Sequence, residues 1–142
     1  MNRRFLLTLV PLALAGAAAA RADDLTGSDR LLCSAESIVV CYDGGTCETG
    51  DADALNVPKF IEVDLVAKRL STTKASGLNR TSAIESLKRL DDLIVLQGVE
   101  KGRAYSFVIE QKTGDLTIAV AGPTRGVSAF GACTPLSKEA SR

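Results

Sequence analysis

Asp64, Glu100 and Glu110 stand on or beside runs of alternating apolar residues, where carboxylates could serve as general acid and base. A hydrolase of that kind needs two carboxyl groups flanking one scissile bond. Nothing in their spacing brings two of the three together, so charge at strand ends is the favoured reading. Histidine is absent from all 142 residues. Its absence excludes Ser-His and Cys-His nucleophilic catalysis, imidazole bases, and haem or zinc sites that need an imidazole. Carboxylate, lysine or tyrosine chemistry is what remains for an enzyme, and no catalytic constellation is recognisable.

Gln97, Arg103 and Tyr105 form the candidate surface for a ligand or partner. Gln97 and Arg103 flank one hairpin, where they could bond each other or present a polar patch; the structural role is favoured. Tyr105, Phe107 and Phe130 could line a cavity, although large residues on an inner strand face are more often core. Asp51-x-Asp53 resembles a fragment of a calcium loop but lacks the third oxygen ligand, the following glycine and the distal glutamate. A solvated acidic loop is the better reading. No metal site and no cofactor is expected.

The four cysteines, Cys33, Cys41, Cys47 and Cys133, read as two disulfides. Their spacing lacks the close pairs of zinc modules. Three connectivities are open. Cys41–Cys47 is favoured because Asp43-Gly44-Gly45-Thr46 lets the chain double back, which leaves Cys33–Cys133 to tie the first strand to the last.

The segment that must position these side chains is Leu93–Cys133, four apolar runs broken by glycine-bearing turns. Glu100-Lys101-Gly102-Arg103, Gln111-Lys112-Thr113-Gly114-Asp115 and Gly122-Pro123-Thr124-Arg125-Gly126 place Gly where short hairpin loops need a positive φ. Strands so joined are neighbours in an antiparallel meander. The period of two sets Tyr105, Phe107 and Ile109 on one face, with Leu116, Ile118 and Val120 likewise on the next strand. Leu93–Leu96, apolar on both faces, reads as a central strand. In Gly126–Cys133 the sorting blurs at Phe130. Further strands are expected within Leu31–Tyr42, at Lys59–Leu65 and around Arg69–Thr72, with Glu48–Pro58 and Ser71–Asn79 as loops.

Arg80–Asp92 fits two patterns. Ser82-x-x-Glu85 matches a capping box, with Ala83, Ile84, Leu87 and Leu90 on one helical face. A strand turning at Asp91-Asp92 serves the meander better and is favoured. The fold expected is therefore all-β: an antiparallel meander of about seven or eight strands, a closed or nearly closed small barrel stapled by disulfides.

Met1–Ala22 reads as an export signal, with Arg3 and Arg4, an apolar run, and a small-x-small site at Ala20-Arg21-Ala22. The general secretory route is favoured over the twin-arginine route. Residues 23–135 then form one β domain and 136–142 a polar tail. Ala17, following Leu14-Ala15-Gly16, stands where a lipid anchor would need cysteine, so a soluble periplasmic protein is expected. Removing the signal takes Arg3, Arg4 and Arg21 from the 17 basic residues and none of the 17 acidic ones, leaving a net charge of −3. An acidic chain without a basic block or Trp offers no footprint for nucleic acid. No integral membrane segment is expected after processing.

From Lys59 onward the chain resembles a group of small, largely uncharacterised exported proteins of Gram-negative bacteria. The resemblance rests on Phe60-Ile61-x-Val63-Asp64, Leu96-Gln97-Gly98-x-Glu100-x-Gly102-Arg103, Thr113-Gly114-x-Leu116-Thr117 and the closing Phe130-Gly131-Ala132-Cys133-Thr134-Pro135. Such relatives often carry Trp at the position of Tyr105. The resemblance implies an all-β fold and no activity. The expected role is binding or inhibition, directed at a protein or a small apolar ligand, in an architecture similar to small barrel inhibitors of lysozyme. The alternatives are a carboxylate-dependent hydrolase and a structural component of an envelope complex.

Overall fold

The computed structural model describes residues 23–55 and 57–136, and no α-helix occurs among them. The expected export signal at residues 1–22 lies outside the described residues, as does the tail from residue 137 onward. Ten strands follow in order: β1 (Arg30–Tyr42), β2 (Cys47–Gly50), β3 (Phe60–Asp64), β4 (Arg69–Thr72), β5 (Thr81–Ala83), β6 (Ser86–Leu90), β7 (Leu93–Glu100), β8 (Arg103–Glu110), β9 (Asp115–Ala121) and β10 (Arg125–Pro135). All pair antiparallel in one sheet of order β5-β4-β3-β1-β10-β9-β8-β7-β6, with β2 added to β1.

The strand count exceeds the expected seven or eight for two local reasons. The Cys41–Cys47 disulfide brings Glu48–Gly50 back alongside β1, so the start of the expected Glu48–Pro58 loop is β2. Arg80–Asp92 supplies two short strands rather than one strand or a helix, and they lie at opposite edges of the sheet.

The sheet is a curled half-barrel, open rather than closed. Its edges, β5 and β6, are not paired with each other, although only Ile84 and Glu85 separate them in the chain. The corner uses its backbone donors elsewhere. Ile84 N–H bonds the Lys68 carbonyl and Glu85 N–H bonds the Gln97 carbonyl, both at 2.9 Å. Those bonds hold β5 close to β7 and leave no ladder to close the barrel.

β1 runs through the middle of the sheet, pairing β10 on one side and β3 on the other. Cys33 faces Cys133 in the β1–β10 register, and the two are bonded. A bulge interrupts that register between Ala35 and Ser37. Opposite it, a side chain at Gly131 would run into the Ser34 backbone, so only glycine permits this approach. The parity of β10 is otherwise regular. Ala129 and Cys133 are buried, while Phe130 is 51% exposed on the convex face with Ser128. Leu93–Leu96, expected to lie in a central strand, belongs to β7, which is flanked by β6 and β8 and stands one strand in from the β6 edge.

The concave face carries the core: Ile94 and Leu96 of β7, Phe107 and Ile109 of β8, Leu116 and Ile118 of β9, and Leu31 and Ile38 of β1. Leu25 stoppers one end. It is fully enclosed, and its N–H bonds the Gln111 carbonyl at 2.7 Å, just past the end of β8. Burying such a side chain contributes about 1.5–3 kcal/mol. The opposite end, where β8 and β10 begin and β9 finishes, is not stoppered in this way.

Candidate functional site

At that open end lies a cavity of about 180 Å³. Its floor is apolar: Phe107 from β8, Ile118 and Val120 from β9, Val127 and Ala129 from β10, with Ile61 and Leu70 from the far side of the curl. These positions follow from the period of two on strands whose inner faces meet across the curl. Leu55, Val57 and Pro58 border the cavity from the loop after β2. Asp51 shapes that loop by accepting the Ala54 N–H at 2.8 Å, and the Val57 N–H returns to the Ala52 carbonyl at 2.9 Å. The Asp51-x-Asp53 pattern thus serves a turn. Among the described residues no group of three acidic, Cys or His side chains is placed to hold a metal ion.

The mouth is polar. Arg103 opens β8 on the parity of Tyr105 and Phe107, and Arg125 opens β10 on the parity of Val127 and Ala129. Both line the cavity for that reason. The Arg103 stem lies over Gly122, where an added Cβ would stand 3.1 Å from Cγ. Arg80 reaches the mouth from the other side, in the loop before β5. Its N–H donates to Thr72 Oγ1 at 3.0 Å, and its carbonyl accepts the Thr72 N–H at 3.0 Å. Glu100, at the end of β7, is the acidic residue in the lining.

No family model matches the chain, and no curated protein matches it.

Tyr105 is the best-constrained polar group there. Its hydroxyl donates to the Ala83 carbonyl on β5, reaching over β7 where Gly98 has no side chain. Its ring meets Phe107 edge-on, centroids 5.9 Å apart. Burial chiefly, and then the charges of Glu85 and Glu100, hold the phenol above its usual pKa of 10.0. A neutral hydroxyl committed to a carbonyl is a structural tie and a poor acid–base catalyst.

Of the sequence candidates, Arg103 and Tyr105 are brought together on the cavity wall. Gln97 is not: it faces outward, opposite Ser106 and Ser86, and contributes its backbone carbonyl to the Glu85 corner. The three carboxylates are scattered. Asp64 lies near Arg30 at 3.9 Å and accepts the Ala67 N–H at 2.7 Å. Glu110 accepts the Thr113 hydroxyl at 2.7 Å at the far end of β8, and Glu100 alone borders the cavity. Neither disulfide lines it. Sequence reasoning passed over Arg80, Arg125 and the 55–58 loop. A readable signal existed for Arg125, which, like Arg103, follows a turn and begins a strand on its inward parity.

Proposed function

We propose that this protein is a soluble, exported binding module of the periplasm that takes a small apolar ligand into the cavity at the open end of its half-barrel. The observation that carries this reading is the apolar floor of Phe107, Ile118, Val120, Val127 and Ala129 left accessible beneath a polar mouth. Ligand sites are concave and mostly apolar with a few placed polar groups, and this cavity has that composition. Two disulfides with no free cysteine suit an oxidising compartment, in keeping with the export signal read in residues 1–22 and the resemblance to exported Gram-negative proteins. The scattering of Asp64, Glu100 and Glu110 gives the hydrolase alternative no support.

The test is titration with a neutral fluorescent probe such as N-phenyl-1-naphthylamine. Enhanced emission with the native protein, lost in Val127→Phe while the unfolding midpoint is kept, is the expected result. No enhancement, or equal enhancement in a folded Val127→Phe variant, overturns the reading. The exported chain should begin at Asp23 by intact mass.

A further inference from the structure

We infer that the ligand is a short amphiphilic acid, with an apolar tail in the cavity and an oxyanion head held at the mouth by Arg80, Arg103 and Arg125. This inference rests on the cavity being a binding site, and it adds the chemical class of the occupant.

Three arginine residues, two that open strands β8 and β10 and one in the loop before β5, line the same cavity, against one acidic residue, Glu100. Among the described residues none of the three forms an ion pair, whereas Arg30 lies within 3.7 Å of Glu62 and Arg89 within 3.6 Å of Asp29. Glu100 and Arg103 stand opposite each other at the head of the β7–β8 hairpin, yet their charged groups are not paired. The mouth therefore carries a formal excess of positive charge on a chain with as many acidic as basic residues. A cleft of one sign with low-dielectric walls concentrates ions of the other sign. Guanidinium is also the cation whose planar fork matches carboxylate and phosphate oxygens.

Beneath the head site the room is limited. A cavity of about 180 Å³ is close to the ~150 Å³ apolar cavity that accepts benzene, and far below a drug-sized pocket. The buried part of the ligand is thus a single ring or a short alkyl chain. Carboxylate and phosphate heads share the oxyanion chemistry that arginine recognises, and a binding series separates them.

The experiment is calorimetric titration of the full exported chain with octanoate, octyl phosphate and octan-1-ol at low and moderate salt. Octanoate or octyl phosphate should bind at least tenfold tighter than octan-1-ol, with the advantage shrinking as salt rises; the tighter of the two identifies the head. Arg103→Gln and Arg125→Gln should each reduce the anion's affinity several-fold and leave octan-1-ol unchanged. Glu100→Gln should tighten the anion, a gain that damage to the fold would not produce. Equal binding of octan-1-ol and both anions would leave the cavity reading standing and overturn the acid head. An anion preference retained in the Arg80→Gln/Arg103→Gln/Arg125→Gln variant would overturn it too. Failure of all three ligands and of the neutral probe would remove the binding site itself.

Discussion

Gly98 stands directly opposite Tyr105 in the β7–β8 ladder, and the space of its missing side chain is taken by the phenol on its way to the Ala83 carbonyl. A Cβ at position 98 would lie 2.5 Å from Tyr105 Oη and 2.7 Å from the Ala83 oxygen. The two residues together bind β8 to β5 across an intervening strand. They brace the seam at which the half-barrel fails to close.

Gly98→Ala should therefore cost about 1–3 kcal/mol by overpacking, read as a lower urea midpoint. Tyr105→Phe removes Oη from the collision. In a double-mutant cycle the two substitutions should couple by roughly 0.5–3 kcal/mol. Strict additivity would mean that the collision is set by Tyr105 Cζ and the Ala83 oxygen, each 2.7 Å from such a Cβ, and not by Oη.

Stability should fall on the alkaline side with a component owed to Tyr105. Its pKa is raised in the folded protein, mainly by burial, so the folded state keeps the proton while the unfolded chain loses it near the ordinary value of 10.0. The contribution is whole below that pH and is lost as pH rises through the higher folded value. Urea midpoints measured from pH 8 to pH 11 should decline less steeply in Tyr105→Phe than in the native chain. Identical slopes would assign the alkaline loss to other groups.

Ile109 and Phe107 should respond differently to truncation although both are buried on the same face of β8. Ile109 is fully enclosed and does not line the cavity, so Ile109→Ala should cost about 2–5 kcal/mol and leave probe affinity intact. Phe107 borders the cavity, so Phe107→Ala should cost toward the low end of about 3–5 kcal/mol and enlarge the site. A change of probe affinity is expected for Phe107→Ala alone. The same probe response in both variants would place the probe elsewhere.

The two disulfides should contribute unequally. Cys33–Cys133 spans a sequence separation of 100 and Cys41–Cys47 one of 6. Loop-closure entropy gives roughly 4.7 kcal/mol for a loop of about 100 residues and about 2 kcal/mol for the small ring. Cys33→Ala/Cys133→Ala should lower the midpoint more than Cys41→Ala/Cys47→Ala. The opposite order would mean that loop-closure entropy does not set the ranking of the two bridges.

What could be read from residues alone was what local geometry determines. Hairpin turns act over a few residues, so Gly102 and Gly114, both at positive φ, mark the joints of β8 and β9 without reference to the rest of the chain. The period of two likewise puts Tyr105, Phe107 and Ile109 on one face whatever lies beyond them. Tertiary structure decided the rest, because it depends on contacts between residues far apart in sequence. Ser82-x-x-Glu85 has the letters of a helix start, yet Ile84 and Glu85 give their N–H groups to Lys68 and Gln97, and a helix there could not join the sheet edges. The open seam and the meeting of Arg80 with Arg103 and Arg125 at one mouth both follow from how the sheet curls. Local periodicity says which face of a strand is apolar. It does not say whether opposing faces meet in a solid core or leave a cavity, since that depends on the distance at which the curl holds them.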